Sequence, residues 1–227
     1  MRLILASRSP RRLDILRRMG LDPRVDPARV DEEAIPASGH PRAYVLKLAA
    51  LKAAEVAERL ARERSAPEAG GSSTPNGSSL TLVLAADTTV ALGGEFLNKP
   101  ADADAARAML RRLSGRAHEV LTGVCLSRMG SGEQTGPGES WLDAARTTVI
   151  FRTLDDDLIE RYVASGSPLD KAGAYGVQDH GAQFPLIERV EGDYWNVVGL
   201  PAETVLRGLA YFGAAEGLTV PRPPELR

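Results

Sequence analysis

Residues 7–12, Ser7-Arg8-Ser9-Pro10-Arg11-Arg12, gather hydroxyls and guanidinium groups where an apolar stretch gives way to a helical pattern. The first N–H groups of a helix lack partners within it, and the helix dipole adds positive character there. Such a place favours an anion, and arginine adds planar, paired donors for phosphate oxygens. The same dipole disfavours arginine in a first turn, which argues against a purely structural pair; a solvated surface pair is the competing reading. The run is not the glycine-rich phosphate loop that ends in Lys-Ser/Thr.

A carboxylate comes next. Asp87 directly follows the run 80–86, apolar apart from Thr81, and α/β folds present functional groups to a crevice at strand ends. A carboxylate there can orient or deprotonate water, or bind a metal ion; a turn Asp bonding its own backbone is the alternative. Thr88 can supply one hydrogen bond to a base or phosphate. Glu32, in Val30-Asp31-Glu32-Glu33, is a second candidate for a metal, against the plainer reading of a charged loop. The run 170–178, Asp-Lys-Ala-Gly-Ala-Tyr-Gly-Val-Gln, packs small residues around Lys171 and Gln178. Its glycines allow close backbone approach, and Gln178 can both donate and accept toward a base. His40, His118 and His180 have no metal-ligand spacing, and none is assigned a catalytic role.

Of the 28 basic residues only Lys47, Lys52, Lys99 and Lys171 are lysines. Lys99 and Lys171 stand in turn-like contexts where a compact ammonium could reach a phosphate. On a helical wheel Lys52 falls between Val45 and Val56 on an apolar face, so it must snorkel, pair, or reach inward to an anion; Lys47 points the other way.

These residues need elements to hold them. Residues 3–6 read as a short strand and 10–19 as a helix with Ser9 as cap, Pro10 in its first turn and Gly20 closing it. A second helix runs from Pro41 into the 60s. The run 80–86 reads as a strand buried on both faces, ending at Asp87, with a hairpin over 90–97 turning at Gly93-Gly94. A helix from Asp102 to Leu113, strands over 118–128 and 142–153 joined by a Gly-rich excursion 130–139, and a helix 155–164 follow. Then come the Gly-rich segment 166–181, a strand near 184–190, a loop 191–200, and a last helix 201–212. Pro185 suits an edge strand, since proline removes a ladder donor. Alternation of strands and helices together with hairpins implies a mixed sheet in an α/β fold.

The 227 residues, 43% hydrophobic and 26% charged, suit one full-sized core. We expect one domain over 1–213, interrupted by a mobile Gly/Pro/Ser-rich loop insertion at 65–79 and followed by a frayed Pro-rich tail at 214–227. A net charge of −2 and a pI near 6.0 argue against a nucleic-acid partner, which would need a broad basic face. The lone Cys125 reads as a buried core thiol. With neither an apolar run of bilayer length nor a secretory leader, the expectation is no membrane and a cytoplasmic location.

Together the motifs bring cations for a polyphosphate, carboxylates for a divalent ion and water, and polar groups for a base, the combination a nucleotide hydrolase uses. In this order the chain also resembles the Maf family: Leu5 to Arg12, Leu48-Ala49 with Lys52-Ala53, Ala85-Ala86-Asp87-Thr88, Lys99-Pro100, Leu113-Ser114-Gly115 with His118, Thr122-Gly123-Val124, the run 170–178, and Val197-Val198-Gly199-Leu200-Pro201. The resemblance implies a fold like that of inosine-triphosphate pyrophosphatases (Maf/Ham1), an elongated mixed β-sheet flanked by helices with two lobes around a cleft. It implies a cytoplasmic, homodimeric enzyme that hydrolyses nucleoside triphosphates to monophosphate and pyrophosphate with Mg²⁺ or Mn²⁺. Asp87-Thr88 and the 170–178 run look like the branch acting on dTTP and UTP, with modified pyrimidine nucleotides as further candidates. The alternatives are a 7-methyl-GTP pyrophosphatase, as in the sister branch, and a regulatory nucleotide-binding protein of septum formation. By resemblance Asp87 is the proton acceptor, Arg11, Thr88 and Gln178 touch substrate choice, Ser7 belongs to the substrate loop, Arg12, Lys52, Lys99 and Lys171 meet phosphates, and Glu32 with Asp87 holds the metal.

Overall fold

The computed structural model describes residues 1–32, 34–65, 80–130 and 137–225. The loop expected over 65–79 therefore lies, Ser65 apart, outside the described residues, as does most of the excursion at 130–139.

Strands β1 (Arg2–Leu5), β2 (Arg24–Val25), β3 (Thr81–Leu92), β4 (Glu95–Leu97), β5 (Ala117–Met129), β6 (Pro137–Phe151) and β7 (Ile187–Glu191) form one mixed sheet. Its order is β2-β1-β3-β5-β6-β7, with β4 also paired to β3. β1 runs parallel to β2 and β3, and the remaining pairs are antiparallel. Helices α1 (Pro10–Arg18), α2 (Pro41–Ser65), α3 (Ala103–Leu113), α4 (Asp156–Ala164), α5 (Tyr194–Val198) and α6 (Ala202–Tyr211) flank it. This mixed α/β architecture is the one expected. Among the described residues no helix is long and apolar enough to cross a membrane.

The period of two along β3 divides the core. Val83 and Ala85 join Ile4, Ala6 and Cys125 against Ala49, Ala53, Val56 and Leu60 of α2. Leu82, Leu84 and Ala86 point the other way, into the larger core shared with α1, α3, α4, α5 and α6. Gly123, directly opposite Asp87 in the ladder, has no side chain because a Cβ there would overlap the Val45 carbonyl of α2. Its absence lets α2 lie close on the sheet beside Asp87.

Local signals account for most boundaries. Ser9 caps α1 by accepting from Arg12 N–H, Pro10 opens it, and Gly20 takes φ +91° beyond its end. Asp102 and Asp155 cap α3 and α4. Gly93 and Gly94, at φ +60° and +85°, make the β3–β4 turn. β7 lies at the sheet edge, with Pro185 just before it.

Several expectations fail. β3 does not stop at Asp87 but continues through Leu92 as one strand, because Thr88, Thr89 and Val90 are β-branched and keep pairing with β5. β6 begins at Pro137, inside the expected excursion. The segment 191–200 is not all loop: Asp193 caps the short helix α5. The tail does not fray at once, since Pro221 O accepts from Trp195 Nε1 at 2.7 Å and Leu218 packs on the main core.

Candidate active site

β1 ends at Leu5, and its last link to β3 is Ala6 N–H to Leu84 O at 2.8 Å. From Ala86 onward β3 has lost that parallel neighbour while it still pairs with β5 on the other side. The chain leaving β1 turns through Ser7 and Ser9 into α1, which opens a crevice along the freed flank of β3. The crevice expected at a strand end thus exists, but the strand that ends is β1. It opens into a cleft of about 900 Å³ lined by Ser7, Arg11, Arg12, Glu32, Lys52, Asp87, Thr88, Lys99, Lys171 and Gln178. The cleft therefore brings together every site residue expected from the sequence.

Asp87 extends the row of Val83 and Ala85 toward α2, and Lys52 comes down from that helix to meet it. Lys52 Nζ lies 2.7 Å from Asp87 Oδ1 and 2.8 Å from Glu32 Oε2. Lys52 and Asp87 are only 6% and 7% exposed, so this pair is held where charges interact strongly. Burial pushes the Asp87 carboxyl above its ordinary range, Lys52 and Arg12 pull it back, and Glu32 adds to the rise. Breaking such a pair from one side would leave an uncompensated buried charge, at a cost of about 3–5 kcal/mol.

Thr88 extends the opposite row and meets α1. Arg12 Nη2 donates to Thr88 Oγ1 at 3.2 Å, its Nε to Gly199 O at 2.9 Å, and its Nη1 to Ala86 O at 2.8 Å and Ser7 Oγ at 3.2 Å. A guanidinium has five N–H groups, and partners among the described residues engage four of those of Arg12. Burial lowers its pKa, opposed by Asp87 and Glu32. Thr88 Oγ1 also lies 2.9 Å from Thr122 Oγ1 and 3.3 Å from Gly199 O. Thr122 and Gly199 belong to this network; the sequence carries them only as motif members, with no chemical role.

The opposite wall is looser. Arg11 stands 3.8 Å from Asp170 Oδ2, with a side chain 35% exposed. Lys171 Nζ donates to Ser167 O at 2.6 Å, Ser167 Oγ at 3.1 Å and Asp170 Oδ1 at 2.7 Å. All three ammonium protons are thereby engaged within its own loop. Lys99 and Gln178 are exposed. Gly173 and Ala174 both take positive φ here; the left-handed turn costs the alanine about 1–2 kcal/mol, and a Cβ on Gly173 would press on Val90.

The histidines take no part in the cleft lining. Burial lowers the His118 imidazole to about 4, and its Nε2 lies 2.8 Å from the Tyr175 hydroxyl in an aromatic cluster with Phe151. Cys125 is buried and its thiol is pushed up to about 12, an inert core thiol as expected. Lys47 is exposed on the outer face of α2. Among the described residues no group of three or more His, Cys, Asp or Glu side chains is gathered for a metal; Glu32 and Asp87 are the cleft carboxylates that converge on one cationic atom.

The arrangement is a polyphosphate-sized cleft with a carboxylate and an ammonium at its floor and further cations, Arg11, Lys99 and Lys171, at its rim. Residues 2–212 match the family described as Maf-like protein. The dTTP/UTP pyrophosphatase of Salinibacter ruber is 46% identical over 209 residues, 91% of this chain and 89% of the relative. That of Anaeromyxobacter dehalogenans (strain 2CP-1) is 47% identical over 205 residues, 89% of this chain and 90% of the relative. The protein of the same name from Thermococcus kodakarensis is 41% identical over 203 residues, 89% and 93% of the two chains. The chain belongs to the Maf-like protein family.

Proposed function

We propose that this chain is a nucleoside triphosphate pyrophosphatase acting on dTTP and UTP, releasing the monophosphate and pyrophosphate, with Asp87 as the base. The observation that carries this reading is the buried carboxylate Asp87, clasped by Lys52 at the floor of a cleft whose other charged residues are mainly cationic. The activity for which the relatives are named agrees with it.

In this reading the triphosphate lies across the rim, its negative charge met by Arg11, Lys99 and Lys171 and by the remaining N–H of Arg12. Lys171 exchanges Asp170 for a phosphate oxygen as it binds. Asp87 uses Oδ1 for Lys52 and offers its second oxygen to a water. As the water oxygen bonds to the α-phosphorus, its proton passes to Asp87, and the bond from the α-phosphorus to the bridging oxygen breaks to release pyrophosphate. Lys52 holds Asp87 ionised and oriented until that transfer, and its charge, no longer balanced by Asp87, then stabilises the negative charge developing on the phosphates beside it. Thr88, aimed by Arg12 and Thr122, and Gln178 contact the nucleoside end.

A divalent cation fits the donor set. Glu32 and Asp87 are hard oxygen donors that already share one cation, and two carboxylates completed by substrate oxygens and water suit Mg²⁺ or Mn²⁺. Held by these two residues, it would supply charge neutralisation on the phosphates. The family resemblance adds one catalytic domain over 1–213, a homodimer and a cytoplasmic location to the reading.

Pyrophosphate release measured across dTTP, UTP, CTP and 7-methyl-GTP with Mg²⁺ or Mn²⁺ tests it. Preference for dTTP and UTP is expected. Preference for 7-methyl-GTP would overturn the branch, and no pyrophosphate from any nucleotide would overturn the activity.

A further inference from the structure

The cleft wall that carries Glu32 is fastened by side chains of α2 and not by the sheet. Asp26 N–H donates to Leu5 O at 3.0 Å, and beyond that bond the segment leaves the sheet. Side chains of α2 then take over. Arg59 Nη1 lies 2.9 Å from Asp26 Oδ1, and its Nη2 donates to Pro27 O at 3.3 Å. Its Nε donates to Glu55 Oε1 at 3.0 Å, while Glu55 Oε2 accepts the Arg29 backbone N–H at 3.0 Å. Ala28 packs on the apolar cluster beneath α2. The next tether along the segment is Lys52 to Glu32 at 2.8 Å.

Lys52, Glu55 and Arg59 are spaced three and four apart, so they stand on one face of α2 and meet the segment in succession. Arg59 and Asp26 have side chains only 11% and 12% exposed, and Glu55 24%. A buried guanidinium between carboxylates adds little stability compared with apolar side chains of the same volume. What it provides is geometry: a planar fork with fixed donor directions holds two carboxylates and a carbonyl at once. Neither Arg59 nor Glu55 lines the cleft.

We propose that Arg59 and Glu55 are positioning residues that clamp residues 26–31 to α2 and so set where Glu32 stands relative to Lys52 and Asp87. The proposal rests on the reading that Glu32 and Asp87 serve a divalent cation. Loss of the clamp leaves both ligands in the chain but lets one drift, so it weakens cation binding while sparing the chemical step at saturating cation.

The experiment uses the whole protein with Mn²⁺ and the non-hydrolysable α,β-imido analogue of UTP. Free Mn²⁺ is counted by electron paramagnetic resonance, and pyrophosphate release from UTP is followed in parallel as Mn²⁺ is varied. Arg59→Met is expected to weaken Mn²⁺ binding by about tenfold to hundredfold, the range for residues that orient a metal ligand, with kcat at saturating Mn²⁺ changed by no more than about twofold. Glu55→Ala, which frees the Arg29 anchor, should weaken it less. Arg59→Lys keeps the buried charge and hence the fold, yet one ammonium cannot span three acceptors. It should also bind Mn²⁺ more weakly than the parent, and it decides the matter if Arg59→Met does not fold. Wild-type Mn²⁺ affinity in the folded variants would overturn the proposal, as would losses of kcat and affinity that merely track the folded fraction. A parent protein that releases no pyrophosphate would instead overturn the activity reading.

Discussion

The floor and the rim of the cleft hold their polar and charged residues in different states. At the floor Lys52, Asp87 and Arg12 are committed: each has short bonds to protein partners, and Lys52 and Asp87 are nearly buried. At the rim Lys99 and Gln178 are exposed, Arg11 has one long ion pair, and Lys171 is bonded within its own loop. Catalytic electrostatics works best when the groups are fixed before charge develops, whereas capture of a flexible polyanion needs cations that a ligand can reach. In the proposed function this difference assigns the chemistry to the floor and recruitment to the rim. It also separates two adjacent arginines, since Arg12 acts as a structural hub beside Thr88 while Arg11 stays available to substrate.

Substitutions can break this division, beginning with the floor. In Asp87→Asn the amide oxygen still accepts from Lys52, whose charge remains paired with Glu32, so the variant should fold, but kcat should drop by about 10²–10⁴-fold, the usual contribution of a general base. Turnover of UTP within tenfold of the parent would place the chemistry elsewhere. Arg12→Met strips donors from Gly199 O, Ala86 O and Thr88 Oγ1, and should lower stability by about 3 kcal/mol. Arg11→Met should stay within about 0.5 kcal/mol of the parent, with a raised KM. Equal denaturation midpoints for the two variants would erase the distinction between the arginines.

His118 lies behind the rim, bonded to Tyr175, and its pKa is lowered from 6.5 to about 4 by burial. Its neutral form is the one the fold accepts. As pH falls below 6.5 the unfolded chain gains a proton that the folded chain refuses until about 4. This group should therefore remove up to about 3 kcal/mol of stability across that window. Urea titrations at several pH values read the slope, and His118→Gln should lose that share of it. The smallest effect belongs to the rim: Lys99→Met should raise KM for UTP about tenfold and leave kcat unchanged. A fall in kcat instead would make Lys99 part of the floor.

Much of this was legible in the sequence because short-range chemistry dictates it. Ser9-Pro10, Asp102 and Gly93-Gly94 carry their caps and turns with them. The apolar face of α2 exposed Lys52 as a residue in need of a partner, and the structure supplies Asp87 and Glu32. What stayed hidden depends on chain segments distant in sequence. The continuation of β3 through Asp87 is decided by pairing with β5, and the engagement of Arg12 requires Gly199, 187 residues away. Glu32 could not be told from an ordinary charged loop, since Arg59 and Glu55 hold its segment from another element.

The central claim, water activated at the floor attacking the phosphorus nearest the nucleoside, is tested most directly by hydrolysis of UTP in ¹⁸O-labelled water followed by mass spectrometry of both products. The account predicts that the label enters the nucleoside monophosphate and leaves pyrophosphate unlabelled. Label in pyrophosphate with an unlabelled monophosphate would mean attack at the β-phosphorus and contradict the account.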